Sequence, residues 1–175
     1  MLQQTRVDVV VPYYARFLRR FPSMSALAKA PIEEVLEAWS GLGYYRRARM
    51  LHEGARHVVR QYGGRFPRDL KTAQTIPGVG RYTAGAILSI AYGERAPILD
   101  GNVLRVLARV FGVEGDVHSG APRAQLWEFA EQAVEEGDPS KINQAQMELG
   151  ALVCTPKNPK CDECPVCGIC VARAR

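Results

Sequence analysis

All five cysteines of this 175-residue chain fall between Cys154 and Cys170, and no other stretch restricts its folding as tightly. Nothing near Met1 reads as a secretory leader, so a reducing, cytoplasmic setting is expected and disulfides are not. The cluster therefore points to metal. The same residues scan in two ways: as C-x6-C-x2-C-x5-C over Cys154, Cys161, Cys164 and Cys170, or as C-x2-C-x2-C-x2-C over Cys161, Cys164, Cys167 and Cys170. Four thiolates bind zinc or an iron–sulfur cluster; one compact loop, in place of two separated knuckles, favours a cluster. Pro156, Pro159 and Pro165 stiffen the loop, while Lys157 and Lys160 make it basic. A metal here suits the shaping of a loop that faces nucleic acid better than redox catalysis.

Upstream, the chain is organised around residues 76–102. Ile76-Pro77-Gly78-Val79-Gly80 lets the backbone turn tightly and leaves the N–H groups of Gly78, Val79, Gly80 and Arg81 facing outward at a helix start. Those amides and the positive end of the helix dipole suit a phosphate. Thr83, Ala84, Ile87, Leu88 and Ala91 recur at helical spacing and face inward, so the pattern is that of a helix-hairpin-helix. Such an element grips a nucleic-acid backbone without reading bases; the same residues can also form an ordinary turn between helices. Asp100 follows an apolar run and stands beside Gly101 and Asn102. It can cap the helix Val103 to Phe111, or it can present a carboxylate to a nucleotide held by the hairpin.

Apolar residues return every three or four positions nearly throughout, and strand-like alternation is missing, so the chain is expected to be all-α. Met1 to Val11 reads as the end of one helix. Pro12 then opens the next, with Tyr13, Tyr14, Phe17, Leu18 and Phe21 as its inner stripe. Pro31 repeats the device, and Gly41 stops that helix after Trp39. A tight turn at Leu42-Gly43-Tyr44-Tyr45 leads into a long helix with Tyr45, Ala48, Leu51, Ala55, Val58 and Val59 on one face and Arg46, Arg49, Arg56 and Arg60 on another; Gly63-Gly64 ends it. The paired tyrosines can pack in the core or act as a wedge between bases. Later helices carry Leu126, Phe129, Ala130 and Val134, then Ile142, Ala145, Leu149 and Leu152.

Charge is laid out unevenly. Net charge is +5, yet residues 45–71 hold eight basic against two acidic side chains and residues 113–140 hold one against seven. One side should attract polyanions, the bland reading of such a run being a solvated helix face. The longest nearly apolar run, Thr83 to Gly93, is too short to span a bilayer, and no membrane partner is expected.

These motifs together resemble the helix-hairpin-helix DNA glycosylase superfamily that includes endonuclease III. Met1-Leu2-Gln3-Gln4-Thr5, Gly41-Leu42-Gly43-Tyr44-Tyr45 and Leu99-Asp100-Gly101-Asn102-Val103 are similar to the adenine-DNA glycosylases of the MutY type, over essentially the whole chain. The resemblance implies a six-helix barrel lobe, 1–112 with the hairpin at 76–80, and a cluster lobe in 113–175 with its cysteine loop at 154–170. It implies a [4Fe-4S] cluster on Cys154, Cys161, Cys164 and Cys170, with Cys167 as a spare thiol. It also implies a monomer, nucleoid-associated during repair, acting on double-stranded DNA that carries adenine opposite 8-oxoguanine or guanine. Asp100 maps to the family's catalytic Asp, Tyr82 lies near the departing sugar and Asn102 supports the site. The resemblance further implies that Gln4 and Tyr44 probe the helix around 8-oxoguanine and that Leu42 also contacts DNA, while Gly78, Val79, Gly80 and Arg81 are expected to hold its backbone.

The chemistry agrees with those roles. Adenine leaves only once a ring nitrogen is protonated, and an oxocarbenium-like sugar remains, so one carboxyl must act as acid and another as an ionised stabiliser or nucleophile. The base must first be flipped from the stack. Asp100 suits the ionised role. Tyr82 stands where lyase members carry a Lys nucleophile, so base removal without strand cleavage is expected. The family's acid is a Glu two residues before the Met-Leu-Gln-Gln-Thr motif, ahead of Met1, and the C-terminal NUDIX-like domain of many relatives is also outside these residues. A chain limited to them is expected to bind DNA and to excise adenine slowly. The alternatives are a non-catalytic DNA-binding relative, a sibling enzyme acting on mismatched thymine or oxidised pyrimidines, and a zinc-stabilised RNA-binding domain.

Overall fold

The computed structural model describes Met1, Leu2 and Thr5 to Ala174. Among the described residues every regular element is helical, as the periodicity requires. The chain forms two compact units, Met1–Gly80 and Arg81–Arg175, so packing divides it at the end of the hairpin turn.

The first unit contains α1 (Val7–Arg20), α2 (Met24–Lys29), α3 (Ile32–Trp39), α4 (Arg46–Tyr62) and the single turn α5 (Leu70–Ala73). The expected break at Pro12 is overturned. α1 runs through Pro12, because the only bond a proline at this position forfeits is to the carbonyl of Asp8, and both residues are exposed, where water satisfies that carbonyl. The inner stripe shifts accordingly. Val10, Phe17 and Phe21 are buried, whereas Tyr14 and Leu18 are exposed. Phe17 meets Trp39 edge-on with ring centroids 6.0 Å apart, and Val35, Leu42, Ala48 and Ala55 complete this core.

α4 ends as expected at Gly63, which adopts the left-handed conformation. Of its five arginines, Arg46, Arg49, Arg56 and Arg60 are exposed and Arg47 is partly buried, but its apolar face is turned from the expected one. Leu51 and Tyr45 lie outside, and His52 joins Ala48, Ala55 and Val58 inside. The reason is polar: His52 Nε2 lies 3.0 Å from the carbonyl oxygen of Ala30 at the end of α2, so the ring has a partner and can be buried.

The second unit begins with α6 (Arg81–Ala86), which widens into a π-helical turn over Ile87–Ala91. An extra residue per turn rotates the following side chains. Ser89 is therefore buried, and Ala91, expected inside, is exposed. The segment after it returns through buried Ile98 and Leu99 to α7 (Gly101–Phe111). α8 (Gly120–Ala133) packs Leu126, Trp127 and Ala130 against α7 residues Val103, Leu104 and Leu107. α9 (Pro139–Glu148) also passes into a π turn, Leu149–Val153. Its inward residues are Asn143 and Gly150, while Ala145 and Leu152 face outward, against expectation. Asn143 is fully buried and satisfied, donating through Nδ2 to Ser89 Oγ at 2.8 Å and to the Ala96 carbonyl at 2.9 Å. Residues 154–170 follow as a loop with two 3₁₀ turns, Cys161–Glu163 and Cys167–Ile169, before the short α10 (Val171–Ala174). No helix of the described residues is long and apolar enough to cross a membrane.

Candidate functional site

Asp100 ends the buried return segment and caps α7. Its Oδ1 accepts the N–H groups of Asn102, at 3.0 Å, and of Val103, at 2.8 Å. Capping and chemistry are compatible, because the two oxygens are used differently. Oδ2 receives only a long contact, 3.4 Å, from Asn102 Nδ2. One oxygen is fixed by the helix start and the other is left to act.

Tyr82, in the first turn of α6, is half-buried, and its hydroxyl donates weakly to Met147 Sδ at 3.8 Å. Burial, and secondarily the nearby Asp100 carboxylate, raise its pKa above the ordinary tyrosine value. The phenol therefore stays a neutral donor beside an acceptor. Tyr82, Asp100 and Asn102 are thus brought together within the second unit.

Behind them stands Arg105, which the sequence reading passed over. It donates from Nη2 to Asn102 Oδ1 at 2.9 Å and to the Gly150 carbonyl at 2.7 Å, and from Nε to the Cys154 carbonyl at 2.8 Å. Gly150 permits this closeness. A Cβ there would lie 2.6 Å from Asn102 Cβ and 2.9 Å from the Asn102 carbonyl oxygen. One turn on, Arg109 donates from Nη1 to Cys154 Sγ at 3.3 Å and to the Thr155 carbonyl at 2.8 Å. A continuous set of hydrogen bonds runs from Asp100 along one face of α7 to the first cysteine. The signal was present: a guanidinium at 105 interrupts an otherwise apolar run from Val103 to Leu107, and a partly buried arginine needs several acceptors.

All five cysteines line one cavity of about 200 Å³, closed by Val106, Arg109 and Val110 of α7 and by Leu149. Among the described residues no three histidine, cysteine or acidic side chains converge closely enough to hold a single ion. A lone zinc needs four sulfurs at about 2.3 Å from one point, so this arrangement does not suit zinc. Thiols spread around the wall of a cavity suit a larger body such as a [4Fe-4S] cluster, and the Arg109 guanidinium on Cys154 Sγ suits a sulfur that carries negative charge.

The other expected contacts lie at the end of the first unit and at the start of the second. Gly78 has φ of +80°, and a Cβ on it would meet Met50 Cβ at 2.7 Å, so glycine is required twice over. Val79 spends its N–H on the Ile76 carbonyl at 3.0 Å, closing the turn. The exposed Gly78 and Gly80 keep amides that donate to no acceptor among the described residues. The Arg81 side chain is engaged within its own unit, 3.7 Å above the Trp127 ring and paired with Glu131. Leu42 is buried in the first core, whereas Tyr44 is 60% exposed and holds a left-handed φ of +48°. Gln4 lies outside the described residues.

The chain is similar to known proteins in sequence and in fold. Residues 1–132 match the family described as HhH-GPD superfamily base excision DNA repair protein, and residues 154–170 match the iron-sulfur binding domain of endonuclease III. The adenine DNA glycosylase of Homo sapiens is 52% identical over all of this chain and 32% of its own length. That of Schizosaccharomyces pombe is 42% identical over 98% of this chain and 38% of its own. The chain thus spans about a third of the length of these curated relatives. Among solved structures, a thermostable thymine-DNA glycosylase superposes with a TM-score of 0.86 at 32% identity, covering 99% of this chain and 80% of that one. A trapped endonuclease III–DNA covalent intermediate, at 23% identity and a TM-score of 0.77 over 99% of this chain and 80% of that one, shares the fold. Family matches over most of the helical chain and over the cysteine loop, with the cavity formed by that loop, lead to one assignment: the chain belongs to the HhH-GPD superfamily of base excision DNA repair proteins and carries a [4Fe-4S] site of the endonuclease III kind.

Proposed function

We propose that this chain carries the catalytic core of a monofunctional DNA N-glycosylase that removes adenine paired with 8-oxoguanine or guanine in double-stranded DNA. The observation that supports it most is the Asp100 carboxylate, held at the start of α7 by two amides through one oxygen and open at the other. An ionised group so placed stabilises positive charge on a sugar as its base departs. Tyr82, kept neutral, donates a hydrogen bond near that sugar, and Asn102 orients Asp100. Protonation of the leaving adenine belongs to the acid that the resemblance places ahead of Met1. When bound, the [4Fe-4S] cluster supplies a rigid tie for the loop 154–170, whose Lys157 and Lys160 are balanced by Asp162 and Glu163. The exposed Gly78 and Gly80 amides and the left-handed, exposed Tyr44 supply backbone contact and a wedge.

The experiment is single-turnover base release from duplexes holding A:8-oxoguanine, A:G, T:G and an oxidised pyrimidine, with this chain and with the longest product of its own reading frame. Adenine should be released, and the longer product should be the faster. Release of thymine alone would replace this reading with the sibling one, and binding without release from either protein would leave a recognition role.

A further inference from the structure

The cavity beneath α7 holds one thiol more than a four-iron cluster uses. The second spacing of the cysteine run, C-x2-C-x2-C-x2-C, proves to be a geometric repeat. Cys161 and Cys167 each open a 3₁₀ turn, and three residues on Cys164 and Cys170 each close it, donating their N–H to the first cysteine's carbonyl at 3.2 and 3.4 Å. The closing residues share their backbone conformation, φ −80° and ψ 121° at Cys164 against φ −79° and ψ 112° at Cys170. Both openers and both closers reach the same cavity. Cys167 is therefore placed as Cys161 is, in an equivalent turn and against the same cavity.

The two differ in protection. Cys161 is the exposed member of the five, and the other four are partly covered. Cys154 is further held by Arg109. The ligand most open to loss is thus the one whose local geometry is duplicated.

We infer that Cys167 is an alternate ligand for the iron held by Cys161, an inference that rests on the cluster reading of the cavity. The step is a ligand exchange without electron transfer: the Cys167 thiol gives up its proton as its sulfur bonds to iron, and the released Cys161 thiolate takes one up. The C167A chain should carry a full cluster, since Cys161 is then in place. The C161A chain should also retain most of its iron and sulfide and its visible absorbance, and C161A/C167A should lose them. Alkylation followed by mass analysis reads the same exchange independently of yield. Cys167 should be the thiol that reacts in the unaltered protein and should become protected in C161A. A C161A chain as empty as the double variant, or one whose Cys167 still reacts, would overturn the inference while leaving the cluster intact in the parent. A parent chain purified with no iron under anaerobic conditions would instead remove the cluster reading, and this inference with it.

Discussion

Asp100 does two jobs with one side chain, and substitution can separate them. Asn at this position keeps an oxygen for the N–H groups of Asn102 and Val103 but removes the charge. Ala removes both. Asp100→Asn is expected to lower the excision rate by on the order of 10²- to 10³-fold with the unfolding midpoint little changed. Asp100→Ala should lose the same activity and also about 1 kcal/mol of stability as the cap disappears. Equal stability loss in both variants, read by denaturant unfolding, would mean that the charge and not the cap holds this corner. Tyr82 offers a second measurement. Its raised pKa means that the folded state holds the phenolic proton beyond the point at which the unfolded chain, near pH 10, releases it. The stability it contributes is present below that value and is lost as pH rises through the folded one. Tyr82→Phe should therefore flatten the alkaline decline in stability relative to the parent chain. Asp100 was legible from sequence because a cap and a catalytic carboxylate both belong after an apolar run. Arg105 was legible only as a guanidinium within an apolar run, because nothing local shows that its acceptors will arrive from residues 150 and 154.

Most helices were legible, since their boundaries are written in residues such as Pro31 and Gly63, but the faces they bury were less so. Each error has a local cause. A π turn after Ala86 and another after Glu148 advance the register, so Ser89 and Gly150 face inward where an unbroken α-helix would have turned Ala91 and Leu152 inward. Buried polar residues such as His52 and Asn143 are invisible to an apolar pattern, because their partners are carbonyls brought from elsewhere in the chain. The second π turn also sets the closest approach in the site, where Gly150 lies against Asn102. Gly150→Ala must push the turn from α7, so it is expected to cost about 1–3 kcal/mol and to slow excision by loosening Arg105 from Asn102. Gly168→Ala is the control, since nothing lies within 4 Å of its added Cβ, and its unfolding midpoint should stay at the parent value. A Gly150→Ala chain as stable and as active as that control would show that α7 and the turn are free to separate.

Long-range charge belongs to the protein as a body, and here the sequence and the structure support one expectation from different sides. The run of residues 45–71 carries most of its excess of cations on α4, yet those arginines are not equivalent. Arg47 is part of the fold: it donates to the Met1 carbonyl at 2.7 Å and to Thr5 Oγ1 at 2.9 Å, and its guanidinium lies 5.6 Å from the Trp39 ring. Arg49 and Arg56 are exposed and line a separate cavity of about 480 Å³ with Lys29, His52 and Glu53. If these two meet phosphates of the proposed duplex, each should contribute about 0.9 to the slope of log affinity against log salt. Arg49→Gln with Arg56→Gln should then flatten the slope by about 1.8, weaken binding alike for matched and mismatched duplexes, and leave the unfolding midpoint unchanged, because contacts to phosphate position a protein without informing it of sequence. Arg47→Gln should do the reverse, lowering stability with little effect on the slope. An unchanged slope in the double variant would make the α4 arginine face a solvated surface and leave the electrostatic grip to the remaining cations, among which Lys157 and Lys160 of the cysteine loop are the next to test.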